Sequence, residues 1–162
     1  MVAIITGDII NSRGEDVSKW MPVLQAELNR SGNNPTDWEI YRGDSFQLRT
    51  TAKDALLVVM HLKAVIKQFK KLDVRMAIGI GEETYTAKKV TESNGSAYVN
   101  SGSCIERLKK QTMAIQSPWE DFDKTLNLLL DVVDLTINNW TPNHALLVKT
   151  SLENPGKTQA EI

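Results

Sequence analysis

The stretch "EIYRGDSFQLRT" (residues 39–50) decides how this chain folds. Trp38 and Ile40 alternate with Glu39 and Tyr41; beyond the break, Phe46 and Leu48 alternate with Ser45, Gln47 and Arg49. Period-two alternation on both sides of a Gly-containing break predicts two half-buried strands joined by a tight turn at Arg42 to Asp44. Gly and Asp both suit such a turn, Gly because it tolerates positive φ and Asp because its side chain bonds nearby backbone. An acidic residue at a hairpin tip is equally the way to hold a metal ion, provided that a second carboxylate reaches the same edge.

Working outward supplies that second carboxylate. Upstream, Val17, Trp20, Met21, Leu24 and Leu28 form one face of an amphipathic helix, stopped by the turn formers "SGNNP" (residues 31–35). Before it, Val2 to Thr6 is a short apolar run read as a buried strand that Gly7-Asp8 ends. Downstream, Thr51 and Asp54 have capping-box spacing. They open a second helix with Leu56, Val59, Leu62, Val65, Ile66 and Phe69 facing inward. Val74, Met76, Ile78 and Ile80 then alternate with Arg75, Ala77 and Gly79 as a fourth strand. The order βαββαβ predicts an α+β fold with a ferredoxin-like sheet. In that topology the first and third strands are neighbours, about 4.8 Å apart. The first strand ends where the second turns into the third, so Asp8 and Asp44 are expected at one edge.

Two hard carboxylates at a sheet edge suit Mg²⁺ or Mn²⁺ held together with substrate phosphates. The loop after Asp8 carries Ser12 and Arg13 and leads into the first helix, whose N–H groups are expected to face a phosphate. With helices on one sheet face, the other is expected to expose Gln47, Arg49 and Arg75 as a binding cleft or subunit interface. Gly79 and Gly81 suit the close approach of a ligand or of a helix.

Composition narrows the function classes. The 162 residues carry a net charge of −1 and 41% hydrophobic residues, enough for a core but without the charge of a nucleic-acid or polybasic membrane binder. From Pro118 onward, seven acidic side chains face three lysines and no arginine, a balance of −4; the first 117 residues carry +3. A single cysteine, Cys104, excludes a disulfide framework or a cysteine-based zinc site. The apolar start "MVAIITGDII" lacks a basic n-region, and no apolar run approaches membrane-spanning length. A soluble, cytoplasmic protein is expected, which makes "RGD" (residues 42–44) a chance match. His61 and His144 read as isolated helical residues without a partnered acid. Cys104 reads as a small packed residue, and the four tryptophans as core.

Together, "IITGDII", "YRGDSFQL" and "VRMAIGIG" resemble the class III nucleotidyl cyclase domain and its diguanylate cyclase relatives. The whole chain, with "WEIYRGDSFQ", "DVRMAIGIG" and "ESNGSAYVNSG", is similar to the SatD family, which joins such a domain to a C-terminal helix-turn-helix. The resemblance implies metal binding by Asp8 and Asp44. Class III cyclases also use a Gly-x-Ala-Val-Asn segment with an Arg four residues later. In "GSAYVNSGSCIERL", aligning Gly95 and Ala97 puts Val99 and Ser103 at those positions. Asn100 and Arg107 stand nearby, seven apart and so on one helix face. They are the weak candidates for catalysis, and losing a transition-state charge clamp typically costs several kcal/mol. Efficient cyclase activity is therefore not expected.

The last third reads as helical. "SPWEDF" has Ser117 as N-cap, Pro118 at the first helical position and Glu120 completing a box. Trp119, Phe122, Leu126, Leu129, Val133, Ile137 and Trp140 make one apolar stripe of about six turns. A second start at Thr141-Pro142 opens a short helix. After "ENPG", Thr158 and Glu161 form a further capping box, as in the first half of a helix-turn-helix whose recognition helix would follow. The expected organisation is a cyclase-like domain over residues 1–117 and a helical extension over 118–162, with DNA binding assigned to a continuation beyond it. The leading expectation is a regulatory protein whose degenerate cyclase-like domain senses a nucleotide with a divalent metal. The alternatives are an active nucleotidyl cyclase or related phosphotransfer enzyme and a non-catalytic dimerisation scaffold, a homodimer being usual for such domains.

Overall fold

The computed structural model of the protein describes residues 1–158, 160 and 161. The sequence expectation for Gln159 and Ile162, within the last capping box, lies outside the described residues. Glu161 does reach back, its carboxylate accepting from the Thr158 backbone N–H at 2.7 Å.

The chain is α+β, a five-stranded mixed sheet with five helices. Strand β1 (Val2–Ile10) leads to α1 (Val17–Ser31), the hairpin β2 (Trp38–Tyr41) and β3 (Ser45–Thr50), α2 (Ala55–Ile66) and β4 (Asp73–Gly81). Helix α3 (Ser96–Arg107), strand β5 (Met113–Gln116), α4 (Glu120–Ile137) and α5 (Pro142–Glu153) follow. The sheet order is β2-β3-β1-β4-β5. β1 is central, antiparallel to β3 and β4, and β5 joins β4 in parallel.

β1 does not stop at Gly7-Asp8 as the sequence suggested; it continues through Asp8 to Ile10. Gly7 serves packing, not a turn: a Cβ there would sit 2.4 Å from the Phe46 ring opposite it. The alternation along β1 sorts its side chains onto two layers. Ala3, Ile5 and Ile9 enter the main core with Trp20, Leu24 and Leu28 of α1, Val59, Leu62 and Ile66 of α2, and Phe46. Ile4 faces the other way, onto Ala97 and Tyr98 of α3. That second layer covers only part of the face expected to be open: Gln47 and Arg75 still line a hollow of about 370 Å³ beside Asp8, Asp44 and α3. α3 lies so close to β4 that a Cβ on Gly79 would be 2.2 Å from Ala97 O and Ser101 N, so this glycine admits a helix and not a ligand. Arg49 is engaged by Glu83 at 2.9 Å and Arg75 by Asp8.

α2 is apolar on nearly every side, which suits its position between the sheet and α1 and α5. One exception, Lys63, is fully buried. Its Nζ donates to Val74 O at 3.0 Å and Thr112 Oγ1 at 2.5 Å, and lies 2.7 Å from Asp73 Oδ1. Thr112 passes the connection on: its Oγ1 and N–H each donate at 2.6 Å to the buried carboxylate of Asp134 in α4. Burial pulls the Lys63 ammonium below the usual lysine range, and the Asp73 and Asp134 charges oppose that.

This network corrects the reading of α4. The helix begins at Glu120, later than expected, because Ser117 pairs with Asp123 (Oγ to Oδ1, 2.6 Å) rather than with Glu120. Its five turns bury Leu130, Asp134 and Ile137. Asn127 faces the same way, exchanging two hydrogen bonds with Ile115 of β5 at 2.8 and 2.9 Å. The expected apolar stripe divides: Ile137 is buried and Leu126 and Trp140 pack against the core, whereas Trp119, Phe122 and Leu129 are about half exposed (50%, 46% and 56%). Polar anchors outrank the apolar pattern here, because an unpaired buried carboxylate costs more than an exposed leucine. Leu56, expected inside α2, is likewise exposed. At α5, Thr141 and His144 close a reciprocal capping box, which gives His144 a structural role.

Truncating Lys63 to alanine removes the charge that Asp73 and Asp134 face in the interior and leaves the Val74 carbonyl without this donor, so Lys63→Ala is expected to cost about 3–5 kcal/mol in urea unfolding. With its folded-state pKa below the unfolded one, Lys63 binds its proton more tightly in the unfolded chain. The stability of wild type relative to Lys63→Met is therefore expected to rise with pH through the folded pKa, levelling off above the unfolded lysine value of about 10.4.

Candidate functional site

Strand register brings the two aspartates to one edge. Asp8 stands opposite Ser45 of β3 on one side and Arg75 of β4 on the other. The next rung runs from Ile9 N–H to Asp44 O at 3.0 Å, extending the β1–β3 ladder one residue into the turn. The turn takes two successive residues through left-handed backbone, Arg42 at φ 53° and Gly43 at φ 89°. For Arg42 that conformation costs on the order of 1 kcal/mol, so the rest of the hairpin must hold it there. Both aspartates line one cleft of about 600 Å³ together with Asn11, Ser12, Arg13, Arg75, Lys109 and Lys110.

Each carboxylate is already oriented. Arg75 grips Asp8 with two parallel bonds, Nε to Oδ1 at 3.0 Å and Nη2 to Oδ2 at 3.2 Å. Ser12 Oγ donates to Asp44 Oδ2 at 2.6 Å. The Ser12–Gly14 3-10 turn follows Asn11, which is left-handed (φ 60°) and fixed by its side-chain amide to Lys71 O at 3.0 Å. Beside them the Tyr41 phenol is pushed above its usual range, mainly by burial; Arg42 opposes this and the Asp8 charge adds to it.

The two carboxylates fit a divalent ion by donor type, since Mg²⁺ and Mn²⁺ take oxygen ligands. Each carboxylate oxygen offers two acceptor positions, and the bonds from Arg75 and Ser12 leave room for a cation. Charge favours an anionic ligand as well. Arg13, Arg75, Lys109 and Lys110 outnumber the two aspartates, leaving the cleft at +2. Lys109 and Lys110, exposed in the link from α3 to β5, were missed from the sequence. The clue was the pair itself in "RLKKQT", which reads as an ordinary solvated loop until β5 carries it back to the edge.

The N-terminus of α1 does not serve as the phosphate site expected of it. Asp16 caps it, accepting from Ser18 N at 3.0 Å and Oγ at 2.8 Å, and those bonds hold its carboxyl below the usual range. Ser12 and Arg13 do line the cleft. Asn100 and Arg107 do not; they share one side of α3, as their spacing requires. Asn100 donates to Ile80 O at 2.8 Å and accepts from Gln116 Nε2 at 3.1 Å, while Arg107 donates to Gln116 Oε1. Arg107 lines a different hollow, between α3 and α4, with Cys104. Burial pushes the Cys104 thiol up, away from nucleophilic use.

The chain matches no protein-family model and no curated protein. Among the described residues, no helix is long and apolar enough to cross a membrane.

A cleft of this charge is expected to bind inorganic triphosphate at low salt. Reversing Lys109 and Lys110 together to Glu removes charged contacts worth about tenfold in affinity each. Both side chains are exposed, so unfolding should be unchanged; calorimetric titration at two salt concentrations checks the loss.

Proposed function

We propose that this chain is a regulatory protein of SatD type, whose degenerate cyclase-like domain senses a nucleotide together with a divalent metal. The observation that carries the reading is the meeting of Asp8 and Asp44 with Ser12, Arg13, Lys109 and Lys110 in one cleft of about 600 Å³. In this reading the two aspartates hold Mg²⁺ or Mn²⁺, Arg75 and Ser12 keep them aimed, and Arg13, Lys109 and Lys110 take the phosphates. The order β2-β3-β1-β4 with every neighbour antiparallel supports a ferredoxin-like, cyclase-type sheet. Efficient cyclisation is not part of the proposal, because Asn100 and Arg107 are engaged with Gln116 outside the cleft.

A second reading, a dimerisation scaffold, is favoured by one observation. Leu128, Val132 and Leu135 line up on α4 at 66%, 57% and 69% exposure. Contiguous apolar faces of this kind mark interaction surfaces. In that case Leu128→Lys with Leu135→Lys turns a dimer into a monomer in sedimentation, and nucleotides have no effect on stability.

A thermal-shift series with ATP, GTP and cyclic nucleotides, with and without Mn²⁺, tests the first reading. A ligand that prefers the folded state raises the midpoint by mass action. The expected result is a metal-dependent rise that Asp44→Ala abolishes. A rise that ignores both the metal and Asp44, or none with any nucleotide, sinks it.

A further inference from the structure

The sequence presents His61 as isolated, and the structure corrects this. Three helices converge on its ring. Glu27 comes from α1, His61 from α2, and Glu153 is the last residue of α5. One ligand atom from each lies within 4.8 Å of the other two. His61 is 6% exposed and Glu27 8%, so an imidazole and a carboxylate are buried together between helices. Glu27 Oε1 is in close contact with His61 Nδ1, and Glu153 Oε1 is 3.5 Å from Nε2. Yet among the described residues neither ring nitrogen has a well-directed hydrogen-bond partner. A neutral imidazole keeps one lone pair, and here each ring nitrogen faces a different carboxylate, Nδ1 that of Glu27 and Nε2 that of Glu153.

We propose that Glu27, His61 and Glu153 form a binding site for a divalent transition-metal ion, Zn²⁺ by donor type, which staples the end of α5 to α1 and α2. One imidazole nitrogen and two carboxylate oxygens are a ligand set that zinc accepts, with a fourth position left to water. Ligand atoms at zinc distances in a tetrahedron lie about 3.4 Å apart. The Nε2–Oε1 spacing of 3.5 Å to Glu153 already meets this, and Glu27, which now touches Nδ1, has to turn toward Nε2 to complete the set. Access comes from a surface pocket of about 320 Å³ lined by Arg30, Asp54, Leu57 and Leu152 beside the ligands.

Two cations now neutralise the acids. Arg30 pairs with Glu153 and lies 3.9 Å from Glu27, and Lys149 holds both Glu153 oxygens at 2.8 and 2.7 Å. Arg30 is 53% exposed and swings into solvent at little cost, freeing the oxygens that face His61. Lys149 is on α5 itself, so its pair moves with Glu153. The site is separate from the Asp8–Asp44 edge, and its occupancy sets how firmly α5, and whatever follows it, is docked.

The test uses the whole chain, stripped with chelator and titrated with Zn²⁺ or Co²⁺, with Mg²⁺ as control. With Mg²⁺ in excess to cover the Asp8–Asp44 edge, the expected result is one equivalent of Zn²⁺ or Co²⁺ bound, a visible Co²⁺ absorption band and a higher unfolding midpoint. His61→Gln and Glu153→Gln should each weaken this binding by at least about tenfold. Glu153 is at a partly exposed helix end, so its variant is expected to fold even if the His61 variant does not. Zinc bound equally well by Glu153→Gln, or displaced by Mg²⁺, overturns the proposal. So does the absence of binding at micromolar zinc.

Discussion

The buried ammonium of Lys63 ties together parts of the chain that lie far apart in sequence. It satisfies Val74 O at the start of β4, pairs with Asp73, and donates to Thr112, which in turn donates to Asp134. Four elements are thereby keyed to one cation: α2, β4, the approach to β5, and α4. A cation this deep is tolerated only with its donors engaged, and any rotation of α4 or slip of β5 would leave a charge unpaired. Such specificity differs from that of apolar packing, where a leucine can turn and still be buried. The same network fixes residue 112, and with it the Lys109–Gln111 segment that forms one wall of the anionic-ligand cleft.

The elements that local pattern governs were legible in the sequence. Residues 39–50 announced a hairpin through period-two alternation, and the order of strands and helices through Gly81 followed from it. From that order came the shared edge of Asp8 and Asp44, which strand register bears out. The errors have a common cause: each depended on a partner distant in sequence. Gly7 looked like a turn because nothing near it reveals that the Phe46 ring needs its space. The α4 stripe was drawn from hydrophobicity alone, whereas Asp134 and Asn127 decide which side faces the sheet. His61 seemed unpartnered because its acids are 34 residues before it and 92 after it.

The two candidate ligand sites use opposite parts of the architecture. Asp8 and Asp44 are on the sheet edge, where strands and short turns place backbone and side chains by register. Glu27, His61 and Glu153 are on three helices, where position depends on packing angle. A shift of α5 alters the second site and leaves the first unaffected. In the proposed reading, ligand recognition and the fixing of helix position are separate, on elements that share the core of Ile5, Leu24 and Leu62.

Asn127 has a role beyond orienting α4. β5 is the last strand of the sheet, and its outward backbone groups at Ile115 would otherwise be open to any extended segment seeking a ladder. The Asn127 amide offers those groups a donor and an acceptor in the spacing of a neighbouring strand, and it is carried on a helix that cannot continue the pattern. A chain arriving to add a sixth strand would have to evict an amide held by the whole length of α4. On this side α4 covers the sheet edge with Asn127 at Ile115 and Asp123 at the Ser117 N–H, which directs intermolecular zippering elsewhere.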